Sequence, residues 1–344
     1  MKKASAQFTS IGGQAVIEGV MMRSPRFIAV AVRKPNQKII IQSKAFESWS
    51  HRWPLLRQPV IRGVLTLFES MVQGMESLTY SAQVSADLPE TQEKLSSGAI
   101  IASIGSALVL GLGVFVGLPH LLTVWVTQLK VIDVSVNHPG FHLVDGVFKM
   151  LILLAYVYSI SWMKEIYRVF QYHGAEHKSI YAFEAGQRLE VESARKFETL
   201  HPRCGTSFLL FLVLISVLVF SFLFPLLRLN QLFTHSFLNH LFMVGVKVLL
   251  IFPVAGIAYE FIRACAFRMQ SPGFRWLIWP GLMLQRLTTR EPQDDQLEVA
   301  LAALRQVLIL EKQGASVLSP QPTEISRLSD LGEVQAQLDE FSEA

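Results

Sequence analysis

The sequence predicts an α-helical polytopic membrane protein of about four transmembrane helices, with a small α+β N-terminal cytoplasmic region. Three observations carry that prediction. Of 344 residues, 51% are hydrophobic and only 17% are charged, against about 25% charged in an ordinary soluble domain. The missing charge is concentrated in long apolar runs, each close to the roughly 20 residues that a helix needs to cross a bilayer. Ahead of the first run, apolar residues recur instead at the short periods of strands and of an amphipathic helix. The formal net charge of +4 is modest, and the basic residues gather between apolar runs, where they read as topology signals. The expected partner is therefore the lipid bilayer and not nucleic acid. Two cysteines, Cys204 and Cys265, are too few for a disulfide framework. Met1-Lys2-Lys3 is followed by no apolar stretch, so a cleaved signal peptide is not expected.

Residues 1–97 form the expected α+β cytoplasmic region. A short apolar run over 14–23 is interrupted by Glu18. Two strand-like runs, 27–32 and 38–42, flank Pro35-Asn36-Gln37, which is turn chemistry, so a hairpin is expected. Over 60–80, Val60, Val64, Leu67, Phe68, Met71, Met75 and Leu78 recur at helical spacing. Residues 98–290 form the expected membrane domain. Its spans are 98–118, which Pro119 breaks or kinks so that the remainder to Leu129 reads as interfacial or re-entrant, then 144–162, 206–227 and 241–262. Asp145 and Lys149, four apart, can pair on one helix face, Lys247 can snorkel outward, and Glu260 can pair with Arg263. Residues 274–287, with Trp276 and Trp279, read as an interfacial segment. Residues 291–344 comprise a soluble helix over 297–310 and a flexible acidic tail. The loops after the first and third spans carry only Lys130 and Arg228, whereas the middle loop carries Lys164, Arg168, Lys178, Arg188, Arg195, Lys196 and Arg203. By the positive-inside rule both termini and the middle loop, 164–205, face the cytoplasm.

That loop carries the chemistry. In Tyr172-His173-Gly174-Ala175-Glu176-His177-Lys178 the pattern H-x-x-E-H sets two imidazoles one turn apart on one helix face, with Glu176 beside them. Chance alone gives roughly 0.01 such matches in a chain of this composition. The second span is expected to run on past the bilayer through His173 and His177 to Glu184. Two histidines are an incomplete catalytic zinc site, which usually has three protein ligands and an open position. His201-Pro202-Arg203-Cys204 lies at the far end of the same loop, just before the third span. If the two spans are antiparallel, His201 and Cys204 return to the level of His173 and His177. The expected ligands of a divalent metal, zinc foremost, are His173, His177 and one of Cys204 or His201. Glu176 is the expected catalytic base, or alternatively a ligand. Glu184 and Glu18 are expected near the ligands, and Arg203, Lys178 and Arg23 are candidates to hold an anionic substrate. Set against the enzyme is a non-enzymatic membrane scaffold whose structural metal would take all four of His173, His177, His201 and Cys204.

Four stretches carry a resemblance: Gly12 to Arg23, Tyr172 to Ser179, His201-Pro202-Arg203-Cys204-Gly205-Thr206 and Leu287-Thr288-Thr289-Arg290-Glu291-Pro292. Together they resemble the YqhQ-like family of bacterial and plastid membrane proteins with a domain of unknown function. The likeness covers about residues 10–310. It implies a multi-span protein of the bacterial cytoplasmic membrane or a plastid membrane, usually described as a predicted metal-dependent enzyme, with no settled substrate.

Overall fold

Alternation of inward and outward side chains organises the N-terminal third. The strands β1 (Gly12–Val16), β2 (Gly19–Arg23), β3 (Phe27–Arg33) and β4 (Ile39–Ala45) form an antiparallel meander. The structure is a computed structural model and describes residues 11–51, 53–86, 97–130, 138–227, 235–266, 268, 271–314, 318–319 and 321–331. Residues 1–10, the loop segments 131–137 and 228–234, and the end of the acidic tail, 332–344, lie outside the described residues. The expected hairpin is present: Gln37 and Lys38 close it on Lys34 and Asn36, with Gln37 at φ 69°. The apolar run over 14–23 is itself a second hairpin. Glu18, which interrupts it, sits in the turn at φ 51°.

Because side chains alternate along a strand, the sheet has two apolar faces. One, with Val16, Met21, Ile28, Val30 and Val32, packs against Tyr80 and Val84 of α1 (Ile61–Ser85). The other, with Val20, Met22, Ala29, Ala31, Ile39 and Ile41, meets α5 (Lys164–Glu184) and α10 (Asp294–Gln313). Helix α10 presents Leu297, Ala300, Leu301, Leu304, Val307 and Leu308 to that face. The expected tail also departs from a purely flexible one, since β5 (Thr323–Ile325) pairs antiparallel with β4 and completes a five-stranded sheet. N- and C-terminal segments thus build one unit.

Four helical stretches are long and apolar enough to cross a membrane: Gly105–Gln128, Pro139–Ile160, Gly205–Leu227 and Phe237–Cys265. The protein is a polytopic α-helical membrane protein. Of the break or kink expected at Pro119, the helix shows no break. Helix α2 (Ser97–Leu112) passes through a π-helical turn at Gly113–Gly117 into α3 (Leu118–Gln128), where the proline sits in the first turn. A proline there has no backbone donor to lose, and the wide turn before it absorbs the clash. Helix α4 (Pro139–Ile160) packs against α3 and α7 (Gly205–Leu227), and α7 against α8 (Ser236–Ala266). The expected interfacial segment is α9 (Pro272–Thr288), with Trp276 and Trp279 exposed.

Three expectations about charge and continuity are corrected. The second span does not run on into the histidine motif: α4 stops at Ile160, and α5 begins anew at Lys164 after an extended Met163. Ser161 donates its hydroxyl proton to the Tyr158 carbonyl at that break, drawing a backbone acceptor out of the helix ladder. Glu260 pairs foremost with Arg62 of α1, with Arg263 only a lesser electrostatic neighbour, and this ties α1 to the last span. Lys247 does not snorkel; it is fully buried against Asp145 and His120.

Candidate metal centre

Helix α5 carries the histidine motif between the sheet and the segment that follows α9. His173 and His177 stand one above the other, with ring centroids 4.4 Å apart. Each ring is oriented from behind by a backbone carbonyl. His173 Nδ1–H donates to the Thr288 carbonyl at 2.8 Å, and His177 Nδ1–H donates to the Thr199 carbonyl. Both rings therefore keep Nε2 as a lone-pair donor pointing inward, the tautomer that a metal needs.

Cys204 closes the triangle. Its Sγ lies 3.1 Å from His173 Nε2. One ligand atom from each of His173, His177 and Cys204 falls within 4.8 Å of the others, so the three could hold one ion. His177 Nε2 is buried and has no protein hydrogen-bond partner, a state that is costly unless a ligand occupies the space. Cys204 occupies the N-cap position of α7, where the Thr206 N–H donates to Sγ at 3.4 Å and the Thr206 hydroxyl lies 3.1 Å away. Burial opposes ionisation of this thiol, and the Thr206 N–H and hydroxyl act against that penalty. The positive end of α7 favours a thiolate there as well. Burial pushes His177 below the ordinary histidine range. Neutral imidazoles with an ionisable thiol are the donor set that binds zinc.

Glu176 lies between the two histidines in sequence and is buried against β1. Burial pushes its carboxyl up to about 8, with His173 pulling in the opposite direction. Gly13 makes the room: a Cβ there would stand 2.8 Å from Glu176 Cγ and 2.9 Å from the Met21 carbonyl oxygen. Gly13→Ala is expected to destabilise the protein by about 1–3 kcal/mol with bound metal unchanged, read from thermal unfolding and metal content together.

The other expected residues are placed as follows. His201 comes back beside the pair, with its ring 5.6 Å from that of His177, but it turns toward Glu184, whose Oε2 is 3.5 Å from its Nε2. Burial pushes His201 down to about 4. Glu184 is held by Arg203, so these two serve the His201 loop and not the three-donor cluster. Lys178 is buried, paired with Glu291 and donating to the Arg195 carbonyl at 3.0 Å. Arg23 reaches Gln73 at 3.2 Å and Glu69 at 3.8 Å and stacks on Phe46, on the α1 side of the sheet. Glu18 pairs with Arg168 and accepts from the Tyr172 hydroxyl at 3.3 Å. None of Arg203, Lys178 and Arg23 stands without a partner above the cluster.

Sequence reasoning missed the residues that hold the site in place. Gln285, fully buried on α9, accepts from His201 N–H and donates to the His201 carbonyl, each at 2.8 Å, and it also donates to Ser207 at 2.9 Å. Its signal was a lone amide within the apolar run 274–287. Thr288 and Thr199 act through backbone carbonyls, which carry no sequence signal. The Leu287 to Pro292 stretch earns its place by wrapping α5: Arg290 N–H donates to the Phe170 carbonyl at 2.9 Å, and Glu291 pairs with Lys178.

Comparison with known proteins covers most of the chain. The family described as "Protein of unknown function (DUF1385)" matches residues 58–309. The chain is 32% identical over 308 residues to "Uncharacterized protein YqhQ" of Bacillus subtilis (strain 168), covering 87% of this chain and 92% of that protein. No solved structure matches. The chain therefore belongs to the DUF1385 family, the YqhQ-like membrane proteins of unknown function.

Proposed function

We propose that the protein is a membrane-embedded, metal-dependent hydrolase working at the cytoplasmic surface, with zinc held by His173, His177 and Cys204. The observation that carries this reading is the convergence of three donor atoms within 4.8 Å around a buried, unpartnered His177 Nε2. A bound divalent ion would supply a Lewis acid and bring a coordinated water to a pKa near about 7. Three donors leave one tetrahedral position for water or substrate, whereas the scaffold reading needs a closed set of four. His201 is the fourth candidate, but its Nδ1 accepts from the Arg203 N–H at 3.3 Å, which puts its proton on Nε2 and favours the open set.

In this reading Glu176 takes a proton from the attacking water and returns it to the leaving group. Its environment suits the task. Burial keeps the carboxyl near neutrality in proton affinity, and a cation alongside would draw it lower. Gly13 backs directly onto the Glu176 side chain, which is buried. The substrate class is a peptide or a lipid ester presented at the bilayer surface. A shallow cleft of about 570 Å³ at the α4–α5 break, lined by Ser161, Trp162, Lys164, Tyr167 and Arg168, lies at that level and has the aromatic and basic lining of an interface.

The test is metal content and turnover measured together on detergent-purified protein. The wild type should carry about one zinc per chain, and His173→Ala, His177→Ala and Cys204→Ser should carry less than about a tenth of that. Glu176→Gln should keep the metal and lose roughly 10²–10⁴ in rate on peptide or lipid-ester substrates. Absence of metal from wild type and variants alike would reject the reading. Full activity in metal-loaded Glu176→Gln would remove Glu176 from the reaction.

A further inference from the structure

The half of the helical bundle remote from α5 and the sheet holds a second set of ionisable groups that the proposed reaction does not use. His120 on α3, Asp145 and Lys149 on α4 and Lys247 on α8 are all buried. Lys149 Nζ donates to Asp145 Oδ2 at 2.8 Å, and Lys247 Nζ lies 3.0 Å from the same oxygen. Lys247 Nζ is also 3.1 Å from His120 Nδ1, and His120 Nε2 is 3.1 Å from His240 Nδ1. His240 is only half-buried, near the end of α8 that leads away from the metal centre. Asp145 Oδ1 has no protein partner.

Around Lys247, helix α4 brings Asp145, Lys149 and His142, α3 brings His120, and α8 itself brings His240. Helix α7 contains no titratable residue and offers Phe220 and Phe224. Helices α1 and α9 also pack on α8; α1 meets it at Gly256 and Glu260, well along the helix from Lys247, and the Arg286 side chain of α9 is exposed. With both lysines protonated, one carboxylate faces two ammonium groups. A surplus positive charge deep in an apolar bundle is costly. Loss of one proton leaves Asp145 and Lys149 as a neutral pair. Lys247 is the lysine in contact with a histidine chain, so its proton is the one with a route out.

We propose that Lys247 and Asp145 form a proton-exchange site within the membrane, reached from the end of the bundle remote from the metal centre through His240 and His120. The hydrogen bonds fix the direction. Lys247 donates to His120 Nδ1, so His120 carries its proton on Nε2 and donates to His240 Nδ1, which leaves the His240 proton on Nε2. For unloading, Lys247 gives a proton to His120 Nδ1, His120 passes its Nε2 proton to His240 Nδ1, and His240 releases its Nε2 proton to water. One proton leaves, Lys247 ends as a neutral amine, and both rings end neutral in the other tautomer. Loading runs the same transfers backwards and restores both tautomers. The site shares no residue with the metal centre, so the two readings stand or fall separately.

The test uses the full chain, labelled with 15N-lysine, in lipid nanodiscs. The Nζ resonance absent from Lys247→Met is that of Lys247. The protons of that group should exchange with bulk water. The exchange should slow by at least about tenfold in His240→Phe, which keeps a ring at a half-buried position, and likewise in His120→Gln. Absence of exchange in the wild type, which needs no variant to fold, would show a closed ion pair and overturn the proposal. Unchanged exchange in a folded His240→Phe would overturn the route.

Discussion

Asp145→Asn is expected to destabilise the protein by about 3–5 kcal/mol, the cost of removing one partner from a buried ion pair. Here the damage is compounded, because the carboxylate serves two lysines at 2.8 Å and 3.0 Å. Without it Lys149 and Lys247 face each other inside the bundle, left with the rings of Phe220 and Phe141 at 5.1 Å and 5.7 Å and, for Lys247, His120 Nδ1 at 3.1 Å. The reverse change has the opposite character. Lys247→Met removes the surplus charge, leaves the Asp145–Lys149 pair intact and should cost less than about 1 kcal/mol, as replacement of buried charge by apolar volume often does. Thermal unfolding in one detergent, with both variants beside wild type, measures the asymmetry. Equal midpoints for Asp145→Asn and Lys247→Met would mean that the carboxylate is not the hub of the cluster.

Gly174→Ala is the second large effect. A Cβ at Gly174 would run into the Arg290 carbonyl oxygen and press on Thr199 Cγ2 at 3.2 Å. Neither neighbour can yield cheaply. Arg290 is fastened to Phe170 by its own N–H, and Thr199 supplies the carbonyl that orients His177. If residues 288–291 are driven outward, the Thr288 carbonyl leaves His173 Nδ1. The expected result is a loss of about 1–3 kcal/mol or more from overpacking, together with a metal affinity weaker by about 10–100-fold from the lost orienting bonds. Competition with a chelator of known affinity reads the second effect. Gly245→Ala is the control, since a Cβ there meets nothing within 4 Å. It should be neutral or mildly stabilising in a helix.

How far the sequence could be read follows from where each signal resides. His173, His177 and Cys204 were legible because helical spacing puts the first two on one face and the antiparallel return of the loop brings the third back. Which of Cys204 and His201 converges on the pair was not legible. Gln285 grips the backbone of His201 from a helix 84 residues away, and in the proposed reading Cys204 is the third donor. The hairpins and the four apolar stretches followed from periodicity and length. The role of Lys247 did not, because a single span shows a lysine without its partner, and that partner lies on another helix. The break at Ser161 to Met163 was hidden for a similar reason. The residues on both sides are good helix formers, and what redirects α5 is its docking onto a sheet made of distant sequence. Strand β5 is three residues long, too short to leave a periodic mark.

The sheet also sets the order in which the molecule can be assembled. Its first four strands are complete at Ala45, yet α10, which covers one apolar face, ends only at Gln313. At synthesis rates of about 5–20 residues per second, roughly a quarter of a minute to a minute separates the two events. Throughout that interval Val20, Met22, Ala29, Ala31, Ile39 and Ile41 lack the helix that buries them, while the spans between are entering the bilayer. The Thr288 carbonyl that aims His173 emerges just ahead of α10. The cluster of His173, His177 and Cys204 is therefore among the last parts of the nascent chain to be completed, and one face of the hairpins stays uncovered until then.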